Sequence, residues 1–395
     1  MISKDYSQSK RIAVIVDDFP SPGRPSFVFV EQLVIALVNQ GMNIAVIAPQ
    51  SLTHALVRRE KLLPRKTRRI IDSGKGFEIL RPYSVTFGGH IKPLKLFSLF
   101  NESEINRCLK RIEPSILYCH FWHSAYRIRE YSKRKQIPVF VACGEGDNAM
   151  EALASNLSAN EKRDLAHMVK GVISVSSENK RKCIEYGFAK ESDIIVLPNC
   201  VDDTIFCPHQ DQSYREQLGI KPDDFVIAYT GAFIKRKGTR ILSDAIVKLN
   251  DPSIKLIFIG KPLKGEDYSP SCPGIVYMSS TEHDFIPNLL NSADLFVLPT
   301  LKEGCCNAIV EALACGLPVV SSNRSFNYDI LNEENSILVN PEDVDEVANA
   351  ILTMKNDKEL YDKKRKYAIE HSNQFSITER SRRIMEFIDR QLQTL

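Results

Sequence analysis

The 395-residue chain has no apolar run approaching the roughly 18 residues of a membrane span, which excludes a spanning helix. Its first residues, MISKDYSQSKR, lack the apolar core of a signal peptide. The expected location is therefore cytoplasmic. Net charge is only +3, so there is no overall basic footprint for nucleic acid. Ten cysteines are scattered without zinc spacing. Cys305 and Cys306 are adjacent, while Cys119 and Cys143 fall in apolar, strand-like runs. Reduced thiols are expected, with no disulfide and no metal. A G-x-G-x-x-G turn after a strand is also missing: FPSPGRPS and TGAFIKRKG both fail the pattern. That excludes a nicotinamide-dependent oxidoreductase of the usual kind. No internal repeat or low-complexity tract stands out.

What is present is alternation. At this length two domains are the default. In the first half, apolar strands are expected at Arg11–Val16, Asn43–Pro49, Phe77–Tyr83, Ser115–His120, Pro138–Cys143, Gly171–Ser177 and Ile194–Leu197, with a helix over Phe27–Gln40. A segment with two prolines, LPNCVDDTIFCP from Leu197 to Pro208, marks a boundary. The second half restarts with strands at Phe225–Thr230, Lys255–Gly260, Ile275–Met278, Leu295–Leu298, Pro318–Ser321 and Ser336–Val339. This predicts an α/β protein with two parallel, doubly wound (Rossmann-like) domains and ligands at the carboxyl ends of the strands.

One stretch carries chemistry: PTLKEGCCNAIVEALACGLPVVSS, beginning at Pro299. It reads as strand end, loop, short helix, turn and strand, with Asn307 as a candidate N-cap and Gly316 ending the helix. A helix N-terminus suits phosphate. Small residues at Gly304, Cys305, Cys306, Asn307 and Ala308 would let a ligand approach the backbone. Glu303 before the helix and Glu311 within it could accept hydroxyls on either side of a phosphate, as a nucleotide sugar requires. By spacing alone, an ordinary turn with two solvated glutamates stays open. After the strand Phe225–Thr230, Gly231 gives a tight turn, and Lys235, Arg236 and Lys237 aim positive charge at the same place.

The wording of these segments resembles the Glu-x7-Glu signature of the GT4 family of retaining glycosyltransferases, which have the GT-B fold. The resemblance covers most of the chain, strongly over residues 225–340. It implies two Rossmann-like domains facing a cleft: residues 1–200 for the acceptor, 201–373 for the donor, and a C-terminal helix, about 374–395, crossing back to the first domain. It implies that Glu303 meets the donor sugar and Glu311 the ribose. Lys237 and Arg236 would offset diphosphate charge, Arg236 because Ala232 stands where many relatives carry an arginine. Arg240 is a reserve. In the first half, Gly23 matches a donor-approaching loop, although PSPGRPSF lacks the usual double glycine. His120 ends a strand in a His-Phe pattern, as in the family. Many relatives have His-Gly-x-Asp after the next strand; here Gly144 and Glu145 replace His-Gly, and Asp147 fits. Glu145, His120 or His123 would take over the lost histidine's contacts.

The expected function is therefore retaining hexosyl transfer from a nucleotide sugar, UDP by family frequency, to a glycan or lipid-linked acceptor in surface polysaccharide synthesis. No cofactor is implied. A sugar phosphorylase, a nucleotide-sugar epimerase and a non-catalytic nucleotide-sugar binder are the alternatives. The basic run RREKLLPRKTRR, Arg58–Arg69, reads either as a solvated loop or as a peripheral patch for anionic membrane, with Leu62 and Leu63 inserting.

Overall fold

A computed structural model describes residues 10–21, 24, 26–86, 95–145, 147–209 and 213–393. Contacts divide the chain into two compact units, residues 1–197 with 381–395, and residues 198–380. The first unit holds β1 (Arg11–Ile15), β2 (Asn43–Ile47), β3 (Gln50–Ser51), β4 (Lys66–Ile70), β5 (Gly76–Leu80), β6 (Tyr83–Ser84), β7 (Ile116–His120), β8 (Val139–Cys143), β9 (Val169–Ser174) and β10 (Ile194–Val196). Eight of them form one sheet in the order β10-β9-β8-β7-β1-β2-β5-β4. Runs such as Ile12–Val16 and Val139–Cys143 are buried throughout, because helices cover both faces of a parallel sheet. The order reverses at β1, with β2 on one side and β7 on the other. Strands β3 and β6 pair separately.

The basic run is a loop only over residues 59–65. Leu52–Arg58 is a helix, and Lys66–Ile70 is β4, antiparallel to β5 at the sheet edge. Its side chains are exposed except for partly buried Thr67. An edge strand without a buried face carries no alternation to read, and its charges suit an unpaired edge. Lys66 pairs with Glu78 and Arg69 with Glu31, each at 2.5 Å.

The second unit holds β11 (Phe225–Thr230), β12 (Ile254–Ile259), β13 (Ile275–Ser279), β14 (Leu295–Leu298), β15 (Val319–Ser322) and β16 (Ser336–Val339). They form one parallel sheet, β13-β12-β11-β14-β15-β16. Here the order reverses between β11 and β14, the place where such sheets take ligands. The two loops leaving these strands touch. At Gly238, φ is 72°, and a Cβ there would lie 2.1 Å from the Pro299 carbonyl oxygen. Only glycine permits that approach.

The C-terminal segment, expected as one helix, is broken at Ser376. Ser372–Phe375 is a 3-10 turn and Ile377–Gln393 a helix. Ser376 is extended and bridges to Val201, and its hydroxyl accepts from the Thr378 and Glu379 amides, so it caps the helix. From Ser381 onward this helix belongs to the first unit. There Phe387 lies over Gly171, where a Cβ would sit 2.7 Å from the ring.

Candidate active site

The reversal point of the second sheet gathers the charged residues. After β11 the chain makes a 3-10 turn at Lys235–Lys237. After β14 it passes Thr300, fully buried, and reaches Glu303. The Arg236 carbonyl accepts the Leu301 amide at 2.8 Å and sits 3.2 Å from the Thr300 hydroxyl, which stitches the loops together. Across that seam Glu303 Oε1 lies 2.6 Å from Lys237 Nζ and 3.1 Å from Arg236 Nη1. It also accepts the Thr300 hydroxyl at 2.8 Å. The Glu303 side chain is only 10% exposed, whereas that of Arg236 is about half exposed. Two cations against one carboxylate leave a local excess of one positive charge. Beneath them Tyr229 donates to the Ala232 carbonyl, and burial pushes its phenol well above the ordinary range.

The helix Asn307–Ala314 starts beside this cluster in sequence. Asn307 is not its N-cap: it is the first helical residue, and Cys306 is the cap, without a side-chain cap bond. The Asn307 side-chain oxygen Oδ1 instead accepts the Asn199 side-chain amide at 2.7 Å. The Cys306 carbonyl takes the Ile309 amide at 3.1 Å, and among the described residues no side chain takes those of Asn307 and Ala308, which stay open to an anion. A Cβ at Gly304 would meet nothing within 4 Å, so space is open there. Cys305 and Cys306 lead into this helix. Burial pushes their thiols up to about 12 and about 11, and Cys305 Sγ faces the Asn199 amide. Ala308 packs against the core. Gly231 turns the chain out of β11, with φ 155°.

Glu311 is buried and pairs with His283, Nε2 to Oε1 at 3.3 Å. His283 opens a 3-10 turn after β13, and its ring lies 5.0 Å from Phe206. The hydrogen bond to Glu311 raises the His283 pKa, against desolvation. Neither His283 nor Thr300 was selected from the sequence. The polar TEHD between a strand and a helix, and a threonine three residues before Glu303, are the signals that were there to use. Arg240 is engaged elsewhere: its guanidinium covers the Tyr268 ring at 4.4 Å and donates to the Asp267 carbonyl.

In the first unit, His120 ends β7 buried among Phe29, Tyr118 and Phe121. Glu145 is buried, and its two oxygens accept the Trp122 amide at 2.9 Å and the Gly144 amide at 3.1 Å. It thus caps the helix Trp122–Lys135, and burial still raises its pKa. Burial lowers that of His123, with Arg127 adding to the effect and Asp17 opposing it. The helix Asp147–Asn156 starts at Asp147, whose side chain lies outside the described residues, as does Gly23.

Comparison with known proteins agrees with this layout. Residues 210–371 match the family model described as glycosyl transferases group 1, and residues 27–205 match glycosyltransferase family 4. A Bacillus subtilis glycosyltransferase provisionally assigned to teichuronic acid biosynthesis, TuaC, is 27% identical over 86% of this chain and 88% of its own. An Escherichia coli protein named as a UDP-Gal:alpha-D-GlcNAc-diphosphoundecaprenol alpha-1,3-galactosyltransferase is 29% identical over 48% of this chain and 52% of its own. HepE from Anabaena, solved with UDP, superposes with a TM-score of 0.71 at 18% identity, over 96% of this chain and 99% of its own. The fold is GT-B, and the chain belongs to the group 1, family 4 glycosyltransferases.

Proposed function

We propose that this glycosyltransferase moves a hexosyl group from a UDP-sugar to a lipid-linked glycan acceptor in surface polysaccharide synthesis, with retention at the anomeric carbon. One observation carries the reading: Glu303, Lys237 and Arg236 meet at the sheet reversal point, next in sequence to a helix whose N-terminus no side chain caps. Residues 198–380 take the donor and the first unit takes the acceptor. The diphosphate lies against Lys237, Arg236 and the amides of residues 304–308, and Glu311 accepts the ribose hydroxyls. Glu303 leaves its cations for a sugar hydroxyl. The bond from the anomeric carbon to the phosphate oxygen then breaks, and charge builds on the diphosphate, where the two cations stabilise it. The acceptor oxygen bonds to that carbon, and its proton passes to the departing phosphate, so no separate base is needed. On the acceptor side, His120 at the end of β7 is the candidate catalytic residue of the first unit, and Glu145 lies in the acceptor or sugar vicinity. The names of the E. coli galactosyltransferase and of HepE with UDP support the donor and acceptor classes.

No Asp-x-Asp pair lies near this site in the sequence, so turnover is expected to survive EDTA. The test is a screen of UDP-, GDP- and ADP-sugars for hydrolysis and transfer, with the product's anomeric configuration read by NMR. A preference for GDP or ADP overturns the donor, an inverted product overturns retention, and magnesium rescue after EDTA overturns metal independence. Phosphorolysis or epimerisation in place of transfer overturns the reaction.

A further inference from the structure

Thr300 is fully buried between the two loops that carry the charged cluster. Its backbone is tied at both ends. Its amide donates to the Leu298 carbonyl at 2.9 Å, and its carbonyl accepts the Ser322 hydroxyl at 2.5 Å. The Ser321 hydroxyl donates to the same Leu298 carbonyl at 2.7 Å. Behind both serines, the Asn327 side-chain amide donates to the Ser321 hydroxyl at 3.2 Å and to the Ser322 carbonyl at 2.8 Å. Ser321, Ser322 and Asn327 are fully buried as well. A polar ladder therefore runs from Asn327 through the ends of β15 and β14 and finishes at the Thr300 hydroxyl. Buried hydrogen bonds of this kind fix the groups they join. A β-branched side chain adds a restricted first torsion, so the position of the hydroxyl oxygen is set by the sheet beneath it.

That hydroxyl has one proton and two acceptors within reach, Glu303 Oε1 at 2.8 Å and the Arg236 carbonyl at 3.2 Å. The carboxylate is nearer and charged, so it takes the proton. Thr300, Lys237 and Arg236 thus all meet on Oε1, while Oε2 accepts no hydrogen bond from any described residue. On the function proposed above, on which this inference rests, Lys237 and Arg236 turn to the diphosphate. Thr300 cannot follow them, being uncharged, buried and pinned. We propose that Thr300 is the positioning residue of Glu303: it keeps hold of Oε1 after the cations have left, so that Oε2 meets the sugar hydroxyl. Without the hydroxyl, the carboxylate is free to swing about its own torsions when its orientation matters most. Thr300 touches neither donor nor reacting atoms and acts only through Glu303.

The test compares Thr300→Val, which keeps the shape and loses the hydroxyl, with Thr300→Ser, which keeps the hydroxyl. Thr300→Val should lower kcat about 10- to 100-fold, the scale of one hydrogen bond to a charged group. Its donor KM, and its affinity for UDP by titration calorimetry, should stay within about twofold of wild type. Thr300→Ser should keep kcat within about threefold, its hydroxyl being only freer to rotate. In a Glu303→Ala background, Thr300→Val should cost less than about twofold more, because the group it acts through is gone. Thermal unfolding checks each variant, and if Thr300→Val is unfolded at the assay temperature, Thr300→Ala against Thr300→Ser decides by the same criterion. The inference is overturned by an unchanged kcat in folded Thr300→Val, by equal losses in the valine and serine variants, or by full additivity with Glu303→Ala. It is also overturned by a loss confined to UDP affinity, which would reduce Thr300 to a stitch between the loops. An impaired Glu303→Ala beside an unimpaired Thr300→Val sinks this inference alone, whereas a Glu303→Ala with wild-type kcat sinks the proposed function and the inference with it.

Discussion

Two carboxylates beyond strand carboxyl ends, partly buried Glu303 in the second unit and buried Glu145 in the first, are held in opposite ways. Glu303 is gripped by side chains: Lys237, Arg236 and Thr300 all converge on one oxygen. Glu145 is gripped by backbone amides, one on each oxygen. Side-chain partners can rotate away when a better anion arrives. Backbone amides cannot, and removing their acceptor strands them. On the function proposed above, the first arrangement is the one that exchanges during chemistry, and the second is expected to hold structure. This contrast makes the two residues respond differently to the same substitution.

The largest effect is expected where the exchange takes place. Lys237→Ala should lower kcat by about two to three decades, the scale of losing a transition-state charge stabiliser. Arg236→Ala should cost less, because its guanidinium is more exposed, yet clearly more than Lys235→Ala. Single-turnover rates with the donor found by the screen decide it. Equal losses for all three would mean that the cluster acts only as a diffuse field.

Glu303→Ala and Glu145→Ala then separate function from architecture. Glu303→Ala should lower kcat strongly and leave the stability of the first unit unchanged, because its partners Lys237, Arg236 and Thr300 all lie in the second unit. Glu145→Ala should destabilise the first unit by about 1–3 kcal/mol, from the stranded Trp122 and Gly144 amides. Trp122 emission in urea follows that unit directly. If Glu145→Ala instead left stability intact and raised only acceptor KM, Glu145 would belong to the acceptor site.

The contrast also explains what could be read from the sequence. Strands β11 and β14 coincide with the apolar runs that announced them, because a strand buried on both faces leaves a continuous signature. Strand β4, KTRRI, left none: no face of it is buried, and its order comes from pairing with β5. Glu303, Arg236 and Lys237 drew attention through the wording of their segments, and the fold brings them together. That Thr300 lies between them needed the seam joining the two loops. The cap role of Glu145 was hidden because its partner amide is 23 residues upstream. The helix-start reading of Asn307 missed by one position, the usual uncertainty of a helix end.

Glu311 gives a third, intermediate case, and the smallest effects. It is buried like Glu145 but held by a side chain, His283. Glu311→Ala should mainly raise donor KM, with kcat little changed, if the carboxylate holds ribose in both ground and transition states. The histidine adds a pH dependence. The groups facing it are Glu311 at 3.3 Å, Asp284 at 3.9 Å and the Phe206 ring. The Glu311 hydrogen bond raises its folded pKa above the ordinary histidine value of 6.5. The stabilisation from this pair is therefore complete below 6.5 and is lost as pH rises through the raised value. With the ring half exposed, that amounts to less than about 1 kcal/mol. Binding should show the reverse sense. Below the raised pKa the imidazolium competes with ribose hydroxyls for Glu311, so donor KM should fall as pH rises, by about two- to threefold. His283→Gln should flatten log KM against pH while leaving the pH profile of kcat in place. A KM slope that survives His283→Gln would assign the titration to another group and reduce the histidine to packing on Phe206.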